Sequence, residues 1–405
     1  MQPNTHQKSV ETQQRFNEPD MFDIRDSEIY LDNAATTAID PDVVAAMQPY
    51  LEERYGNPQT AYHLGREAKD AIEAARSSIA DMLDCKPSEI YFTSGGTEAN
   101  NWAIKGFQYG DRKRLVVSAV EHLSVLEPAK WMRRSNLLAD VVEVFVDEDG
   151  VVRLDLLDAY LKTGMVGLVS IQYANNETGT IQPVAKIAQL CKDNGTAFHC
   201  DAVQAFGKVD FDIADTGADM MTISAHKIHG PMGIGALYVK EGTPLEPLLH
   251  GGGHENGMRS GTHAVPQIVG FGKAVEVAWS NIRTEMAKLS GLVDRFSADL
   301  SHKVLAKRNG HETKRLPNIL NVTIPADASL VCGILAKHGV CVSMGSACRT
   351  GNKESHVLKA MGRPYGDCVS SLRISMSKYT TDKEMQIFAA RLQAAIAESK
   401  RRNTV

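Results

Sequence analysis

The sequence predicts an α/β protein, with a mostly parallel sheet in a large domain and a smaller α+β domain. Short apolar runs rich in Val, Ile and Leu alternate with stretches in which apolar residues recur at helical spacing. This alternation is typical of βα units whose helices cover both faces of a parallel sheet. Polar residues directly follow several of these runs, at the strand ends where open α/β sheets bind ligands. With 405 residues, the chain is long enough for two domains with a substantial core.

The composition is that of an ordinary globular protein, with 43% hydrophobic and 23% charged residues. The formal net charge of −5 gives no indication of a surface for nucleic acid or for an anionic membrane. No apolar run is long enough to cross a bilayer. Residues 1–28 are polar and lack the apolar core of a signal peptide, so we expect a flexible tail and a cytoplasmic protein.

The large domain is predicted over residues 29–264. A short strand at 29–31 precedes a helix that begins at Pro41, because proline favours the first helical turn. A longer helix over 62–83 carries small and apolar residues every three or four positions. Buried strands are then predicted at 89–93, 115–120, 166–173, 196–200, 219–223 and 235–239, with a helix at 184–192 and the last strand antiparallel or at an edge.

The smaller domain is predicted over residues 265–405, with residues near 29–45 packing on it. Residues 250–262 are rich in glycine and are expected to form a functional loop or a mobile linker. The pattern then predicts a long helix over 265–304, strands at 319–324, 340–343 and 371–375, and a final amphipathic helix over 382–399.

Lys227 lies just past the predicted strand 219–223, and Gly230 with Pro231 ends regular structure soon after it. A lysine at a strand end, beside a serine and two histidines, indicates a polar pocket. Such a lysine can carry pyridoxal phosphate (PLP) as a Schiff base. Taken alone, a motif this short is more often a surface loop, so the interpretation depends on the other strand ends.

The other strand ends supply what a PLP enzyme needs besides the lysine: a carboxylate at the pyridine nitrogen, a phosphate cup and a group stacked on the ring. Asp201 follows the strand at 196–200, and His122 follows the strand at 115–120. The glycine-rich turn 94–97 leads into a helix, whose N-terminal amides attract anions. Taken alone, residues 94–97 are as readily explained by a simple strand-to-helix turn as by a phosphate cup. They also lack the Gly-Lys-Ser/Thr of a Walker loop. The four features together favour a PLP site.

Seven cysteines, an odd number without a Cys-x-x-Cys pair, argue against a disulfide framework and a zinc site. Cys348 differs from the other six because it lies among glycine and other small residues beside Arg349. An exposed thiol near a cation is the setting of a reactive cysteine. The alternative is an inert loop cysteine.

Eight short motifs resemble those of the cysteine desulfurases of the NifS/IscS-like group, which are fold-type I, aspartate aminotransferase-like PLP enzymes. The resemblance covers nearly all of residues 29–392, with motifs at 30–37, 94–101, 121–122, 175–179, 201–204, 224–227, 259–262 and 345–348. It implies that the chain takes sulfur from L-cysteine, giving L-alanine and a persulfide on Cys348.

The resemblance also implies how the cofactor is held. Lys227 would carry PLP, with Asp201 at the pyridine nitrogen and Gln204 at the ring hydroxyl. His122 would stack on the ring and take part in proton transfer. The phosphate would be held by residues from both subunits of a homodimer: Gly96, Thr97, Ser224, His226 and, from the other subunit, Thr262.

Substrate binding and sulfur transfer are implied for three residues. Arg373 would grip the α-carboxylate of L-cysteine with its planar guanidinium, and Asn176 would contact substrate and cofactor. Cys348 would attack the substrate sulfur. The stretch between Cys348 and Arg373, which contains glycines and a proline, would then carry the persulfide to an acceptor protein. No resident metal site is expected, Cys348 being at most a transient iron–sulfur ligand.

The sequence leaves the sulfur acceptor open among iron–sulfur assembly, tRNA thiolation and DNA phosphorothioation. The alternatives are a selenocysteine lyase and a non-catalytic PLP-fold scaffold for sulfur transfer, whereas a generic aminotransferase would have no use for Cys348. Met232 and Met344 stand where family members commonly have Lys and Ser. We expect these two departures to alter the pocket rim or the choice of acceptor.

Overall fold

The computed structural model of the chain describes residues 28–344 and 354–402. The described strands are β1 (Ile29–Tyr30), β2 (Ile90–Thr93), β3 (Arg114–Ser118), β4 (Asp140–Val144), β5 (Val166–Ser170), β6 (Ala197–Asp201), β7 (Met220–Ser224), β8 (Gly235–Val239), β9 (Lys307–Asn309), β10 (Ile319–Thr323), β11 (Val340–Cys341), β12 (Ser343–Met344) and β13 (Ser371–Ser375). The described helices are α1 (Pro41–Glu52), α2 (His63–Leu83), α3 (Gly96–Lys105), α4 (Leu123–Arg134), α5 (Leu154–Leu161), α6 (Val184–Asp193), α7 (Ile213–Thr216), α8 (Val265–Val304), α9 (Ala328–Lys337), α10 (His356–Ala360), α11 (Tyr365–Val369) and α12 (Asp382–Arg402). None of these described helices combines the length and the apolar content needed to cross a membrane.

Seven strands form the central sheet, in the order β2-β8-β7-β6-β5-β3-β4. The five strands from β7 to β4 are parallel, while β8 runs antiparallel between β7 and β2. The predicted α/β class and the antiparallel return at 235–239 are therefore confirmed. The edge strand β4 was not predicted, nor were the helices α4 and α5 that precede and follow it in the sequence. Its half-exposed, partly acidic sequence lacks the apolar run that marks the inner strands.

The middle of the sheet sets the position of the strand ends. β5 and β7 are buried at every residue, so their sequences read as continuous apolar runs rather than as alternating ones. β6 and β7 are parallel neighbours in which Asp201 is paired with Thr222. The residues that follow these two strands therefore emerge side by side at one edge of the sheet.

Helix α8 contributes to two hydrophobic cores. Val265 and Phe271 pack in the core around the central sheet. Leu292 and Phe296 belong to a second core, which also includes Ile29. This second core is formed with a four-stranded antiparallel sheet, β12-β13-β10-β9, and β1 pairs with β11. Because one helix serves both cores, the predicted domain boundary at residue 264 stays a prediction.

The single strand predicted at 340–343 is instead two strands in two different sheets. β11 pairs in parallel with β1, whereas β12 pairs antiparallel with β13. Each strand is two residues long, too short for its pattern to separate it from its neighbour.

In residues 354–372, the described part of the stretch between Cys348 and Arg373, the two short helices α10 and α11 replace the continuous loop that the sequence suggested. Transport of the persulfide by this stretch stays a prediction. Helices α10 and α11 bury an apolar cluster consisting of Val120, Val357, Leu358, Met361 and Cys368. Two of the residues that suggested a loop mark helix boundaries, since Gly362 follows α10 with φ 76° and Pro364 is the N-cap of α11, whereas Gly366 lies within α11. Cys348 itself, with the rest of 345–353, lies outside the described residues.

Candidate active site

A cavity of about 290 Å³ lies at the C-terminal ends of β5, β6 and β7 and reaches β13. Ten of the predicted site residues line it: Gly96, Thr97, His122, Asn176, Asp201, Gln204, Ser224, His226, Lys227 and Arg373. Thr262 is exposed and is not part of the cavity wall, and Cys348 lies outside the described residues. The wall also includes residues to which sequence reasoning gave no role, among them Ala34, Ala35, Asn100 and Ser124.

Lys227 reaches the cavity from a single 3-10 turn, Ala225–Lys227, that directly follows β7. Its Nζ donates to the carbonyl oxygens of Ala34 at 2.7 Å and Ala35 at 2.6 Å. The chain can turn back after this lysine because of Gly230, where a Cβ would lie 2.8 Å from the Ala225 carbonyl oxygen. The strand-end lysine is thus held against the loop that follows β1.

Asp201 is the last residue of β6, and its carboxyl group is buried. Oδ2 accepts from Asn100 Nδ2 at 2.7 Å, and Oδ1 accepts from the Val203 amide at 3.0 Å. Burial raises the pKa of Asp201, an effect that the neighbouring His122 opposes together with these donors. The structure therefore places a fixed carboxyl group with a raised pKa in the cavity wall.

His122 is the N-cap of α4, and its Nδ1 accepts from the Ser124 amide at 3.1 Å. The Ser124 hydroxyl lies 2.7 Å from the same ring nitrogen. Burial lowers the pKa of His122. Since Nδ1 acts as an acceptor, the neutral ring carries its proton on Nε2, the nitrogen that is left for a ligand.

The N-terminus of α3 forms one end of the cavity. Gly95 has φ 146°, which favours glycine, and a Cβ on Gly96 would lie 2.8 Å from Val203 Cγ2. The buried hydroxyl of Ser224 has no hydrogen-bond partner among the described residues. Free helix amides beside an unpartnered hydroxyl make an anion-binding cradle.

Arg373, on β13, closes the cavity from the side of the smaller sheet. Nη1 donates to the Asn176 carbonyl at 3.1 Å, and Nη2 donates to Asp32 Oδ1 at 2.8 Å. Its Nε is buried and has no partner within the part of the chain that the structure describes. Ser343 on β12 is paired with Arg373, so the strand that leads towards Cys348 runs beside the cavity wall.

Two ion pairs hold the glycine-rich segment 250–262 against helices α2 and α3 of the same chain. Arg259 donates to both carboxylate oxygens of Glu98 on α3, at 2.8 and 3.0 Å. Glu255 accepts from Arg76 on α2 at 2.8 and 2.9 Å. These contacts hold the segment against α2 and α3, the second of which forms one end of the cavity, with Thr262 exposed.

The pKa is raised for all six described cysteines. Burial is the main cause that raises their pKa, to about 12 for Cys85, Cys191 and Cys332. The pKa is also raised for Cys200, Cys341 and Cys368. Because attack requires a thiolate, none of these six is suited to accept sulfur.

The described ranges contain no group of three or more His, Cys, Asp or Glu side chains that could hold a metal ion. Of the two departures from the family pattern, Met232 is exposed and does not line the cavity. Met344 is half-buried against the second core.

Comparison with known proteins gives one consistent result. The family model for class-V aminotransferases matches residues 29–388. A cysteine desulfurase from Nostoc sp. is 44% identical over 366 residues, which cover 89% of this chain and 90% of the relative. Cysteine desulfurase IscS from Methanosarcina thermophila is 42% identical over 364 residues, covering 88% and 89%. A solved structure of a NifS-like protein superimposes with a TM-score of 0.86 at 36% identity, covering 91% of this chain and 99% of the other.

Proposed function

The chain belongs to the class-V aminotransferase family, and we propose that it is a PLP-dependent cysteine desulfurase. L-cysteine and the Cys348 thiol give L-alanine and a Cys348 persulfide. One carbon–sulfur bond breaks, one sulfur–sulfur bond forms, and the hydrogens balance without an outside oxidant. The observation that carries the proposal is the cavity in which Lys227, Asp201, His122 and Arg373 meet, in a chain similar to cysteine desulfurases over most of its length.

The residues of the cavity fit PLP at both of its ends. The cradle formed by Gly95, Gly96 and the unpartnered Ser224 hydroxyl suits a phosphate. Thr97 and His226 line the same cavity and would complete that contact. At the other end, the Asp201 carboxyl group suits a pyridine nitrogen. When bound, PLP draws electrons from the α-carbon of an amino acid and so weakens the bonds around it.

Three side chains of this protein handle protons around that centre. Lys227 Nζ is the amine that would hold PLP and exchange the proton of the substrate's α-carbon. Asp201, with its raised pKa, would share a proton with the ring nitrogen. His122 would stack on the ring, with Nε2 as the atom through which it donates or moves a proton.

Arg373 and Asn176 would orient the substrate. A carboxylate that approaches the side of the guanidinium would meet the unpartnered Nε and would compete with Asp32 for Nη2. Two parallel hydrogen bonds of this kind fix both the position and the rotation of a carboxylate. Asn176 lines the cavity and contributes its carbonyl oxygen to Arg373 Nη1.

Cys348 is the proposed sulfur acceptor within the chain. Met344, four residues before it, ends a strand that is paired beside Arg373. On the other side of Cys348, Ser355 caps α10 and donates to buried Glu177 at 2.5 Å. Both ends of the segment that carries Cys348 are therefore anchored near the cavity. The raised pKa values of the six described cysteines support the same assignment.

A homodimer and a protein sulfur acceptor are part of the proposal. Thr262 is exposed and lies outside its own chain's cavity, which fits a phosphate contact in a second copy. The acceptor is proposed only by its chemistry, as a thiol that attacks the outer sulfur of the persulfide. That thiol would serve one of the three routes considered above, iron–sulfur assembly, tRNA thiolation or DNA phosphorothioation.

The experiment that tests the proposal supplies PLP, L-cysteine and dithiothreitol to the purified protein. We expect sulfide and alanine in equal amounts, and borohydride should fix PLP on the peptide that contains Lys227. Alanine without sulfide, pyruvate as the main product, or PLP fixed on another lysine would each contradict the proposal.

A further inference from the structure

We propose that Lys208 is a positioning residue: through Gln204, its amine determines which hydrogen-bonding group the chain presents to the ring of the cofactor. Lys208 lies next to the cavity wall, and neither the sequence motifs nor the mechanism above gives it a task. The inference rests on the proposed function and deepens it.

Lys208 is joined to the cavity by a chain of hydrogen bonds. Its Nζ donates to Gln204 Oε1 at 3.1 Å, and Gln204 Nε2 donates to the Ala34 carbonyl at 2.9 Å. The same carbonyl oxygen accepts from Lys227 Nζ at 2.7 Å. Two lysine amines, one in the cavity wall and one behind it, are therefore connected through a single amide side chain.

This arrangement leaves Gln204 only one favourable orientation. An amide oxygen only accepts hydrogen bonds and an amide nitrogen only donates them. Reversing the group would turn its NH₂ towards the Lys208 amine and its oxygen towards the Ala34 carbonyl. With Lys208 in place, the second N–H of Gln204 is the group left for a ligand. A donor at this position suits a ring oxygen that carries negative charge.

The backbone brings Lys208 back over Gln204, four residues earlier. Residues 202–208 make tight turns, in which the Phe206 amide donates to Ala202 O at 2.8 Å and the Lys208 amide to Ala205 O at 2.9 Å. Gly207 has φ 69°, and a Cβ there would lie 2.7 Å from Ile228 Cγ2. A glycine is thus required for the turn that aims Lys208.

Keeping an amine at this place is costly. Lys208 is 7% exposed, and no carboxylate of the described residues lies within ion-pair distance of it. Burial lowers the pKa of Lys208 to about 7, with Lys227 and Arg373 adding to the effect. The charged amine can only donate, whereas a neutral amine can also accept, so it is the charged form of Lys208 that enforces the orientation of Gln204. A buried amine held without an acid partner beside a ligand cavity indicates a functional rather than a packing role.

The test is a double-mutant cycle on PLP binding to the apo-protein, with wild type, Lys208→Met, Gln204→Met and the double variant. We expect Lys208→Met to raise the Kd for PLP about three- to tenfold and to shift the visible absorption maximum of the bound cofactor. In the Gln204→Met background the same change should have no further effect on either quantity. Lys208→Arg, which restores a donor, should recover most of the affinity.

Lys378→Met is the matched control, because Lys378 lines the same small cavity of about 40 Å³ as Lys208 but donates to Asp40 at 2.6 Å. Its effect should add to that of Gln204→Met. Equal losses from Lys208→Met in both backgrounds, or an unchanged Kd and spectrum, would overturn the inference. If Lys208→Met does not fold, Lys208→Leu, which also lacks a donor, takes its place under the same criteria. Sulfide release by the wild type separates the role of Lys208 from the proposed function. An active enzyme with an additive cycle rejects only the role of Lys208, whereas a wild type that binds no PLP rejects both.

Discussion

Asn100 Nδ2 donates to Asp201 Oδ2 at 2.7 Å, and the same nitrogen donates to the Ser124 hydroxyl at 2.8 Å. That hydroxyl in turn lies 2.7 Å from His122 Nδ1. One buried amide on α3 therefore connects the carboxyl group that ends β6 with the imidazole that begins α4. Asn100 therefore helps to position both side chains that are proposed to face the cofactor ring: Asp201 directly, and His122 through Ser124.

We predict that Asn100→Ala raises the Kd for PLP about tenfold, because the buried Asp201 carboxylate loses a strong donor and its pKa rises further. Titration of the apo-protein with PLP measures the change. Asn101→Ala is the control, since Asn101 follows directly on α3 and donates to Thr97 O on the same helix. Equal losses from the two variants would show that the link to Asp201 is unimportant.

Replacing Arg373 with lysine keeps the charge but removes the planar pair of donors. We expect KM for L-cysteine to rise about tenfold, with a smaller change in kcat. Steady-state sulfide release over a range of L-cysteine concentrations separates the two constants. Arg308→Lys changes an arginine of β9 in the same sheet, away from the cavity, and should leave KM unaltered. An unchanged KM in Arg373→Lys would remove Arg373 from carboxylate binding.

Glu255 makes stability depend on pH. Burial alone would raise its pKa, but Arg76, His263 and the Phe92 amide lower it from 4.5 to about 2. A lowered pKa stabilises the folded state above the unfolded value of 4.5, and this contribution disappears as the pH falls from 4.5 towards 2. At pH 7 we expect Glu255→Gln to cost about 3 kcal/mol of the free energy of unfolding.

Urea unfolding of wild type and Glu255→Gln at pH 7, 4 and 3 measures this effect, and the difference between them should shrink as the pH falls. Glu241→Gln is the control, because it removes an exposed carboxylate that pairs with Lys86, and it should change stability little. A constant difference between wild type and Glu255→Gln at all three pH values would assign the loss to packing instead of charge.

The parts of the fold that the sequence predicts best are those with a long, unbroken pattern. Helix α8 begins at Val265 and ends at Val304, as predicted, because its apolar periodicity continues without interruption and Pro266 occupies its first turn. The strand ends could also be located, since Asp201 and Lys227 each follow a buried apolar run. Parallel strands bring such ends together, and ten of the predicted residues indeed line one cavity.

What the sequence could not predict depends on contacts between distant residues or on single turns. Arg76 and Glu255 pair across the fold, and no local pattern links them. The contact between Lys208 and Gln204 requires the left-handed conformation of Gly207. Gly362 and Pro364 suggested a loop, yet they lie at the ends of two short helices. These helices form because their apolar residues pack against Val120, which is distant in the sequence.

Sulfur transfer to Cys348 is tested most directly by mass analysis of the PLP-loaded protein after exposure to L-cysteine without a reductant. We expect one added sulfur atom on the peptide that contains Cys348, released as sulfide by dithiothreitol. Cys348→Ala should retain PLP and gain no sulfur, whereas Cys341→Ala, which changes a cysteine of raised pKa, should behave as wild type. Sulfur on one of the six described cysteines instead, or alanine formed while Cys348 stays unmodified, would contradict the proposed mechanism.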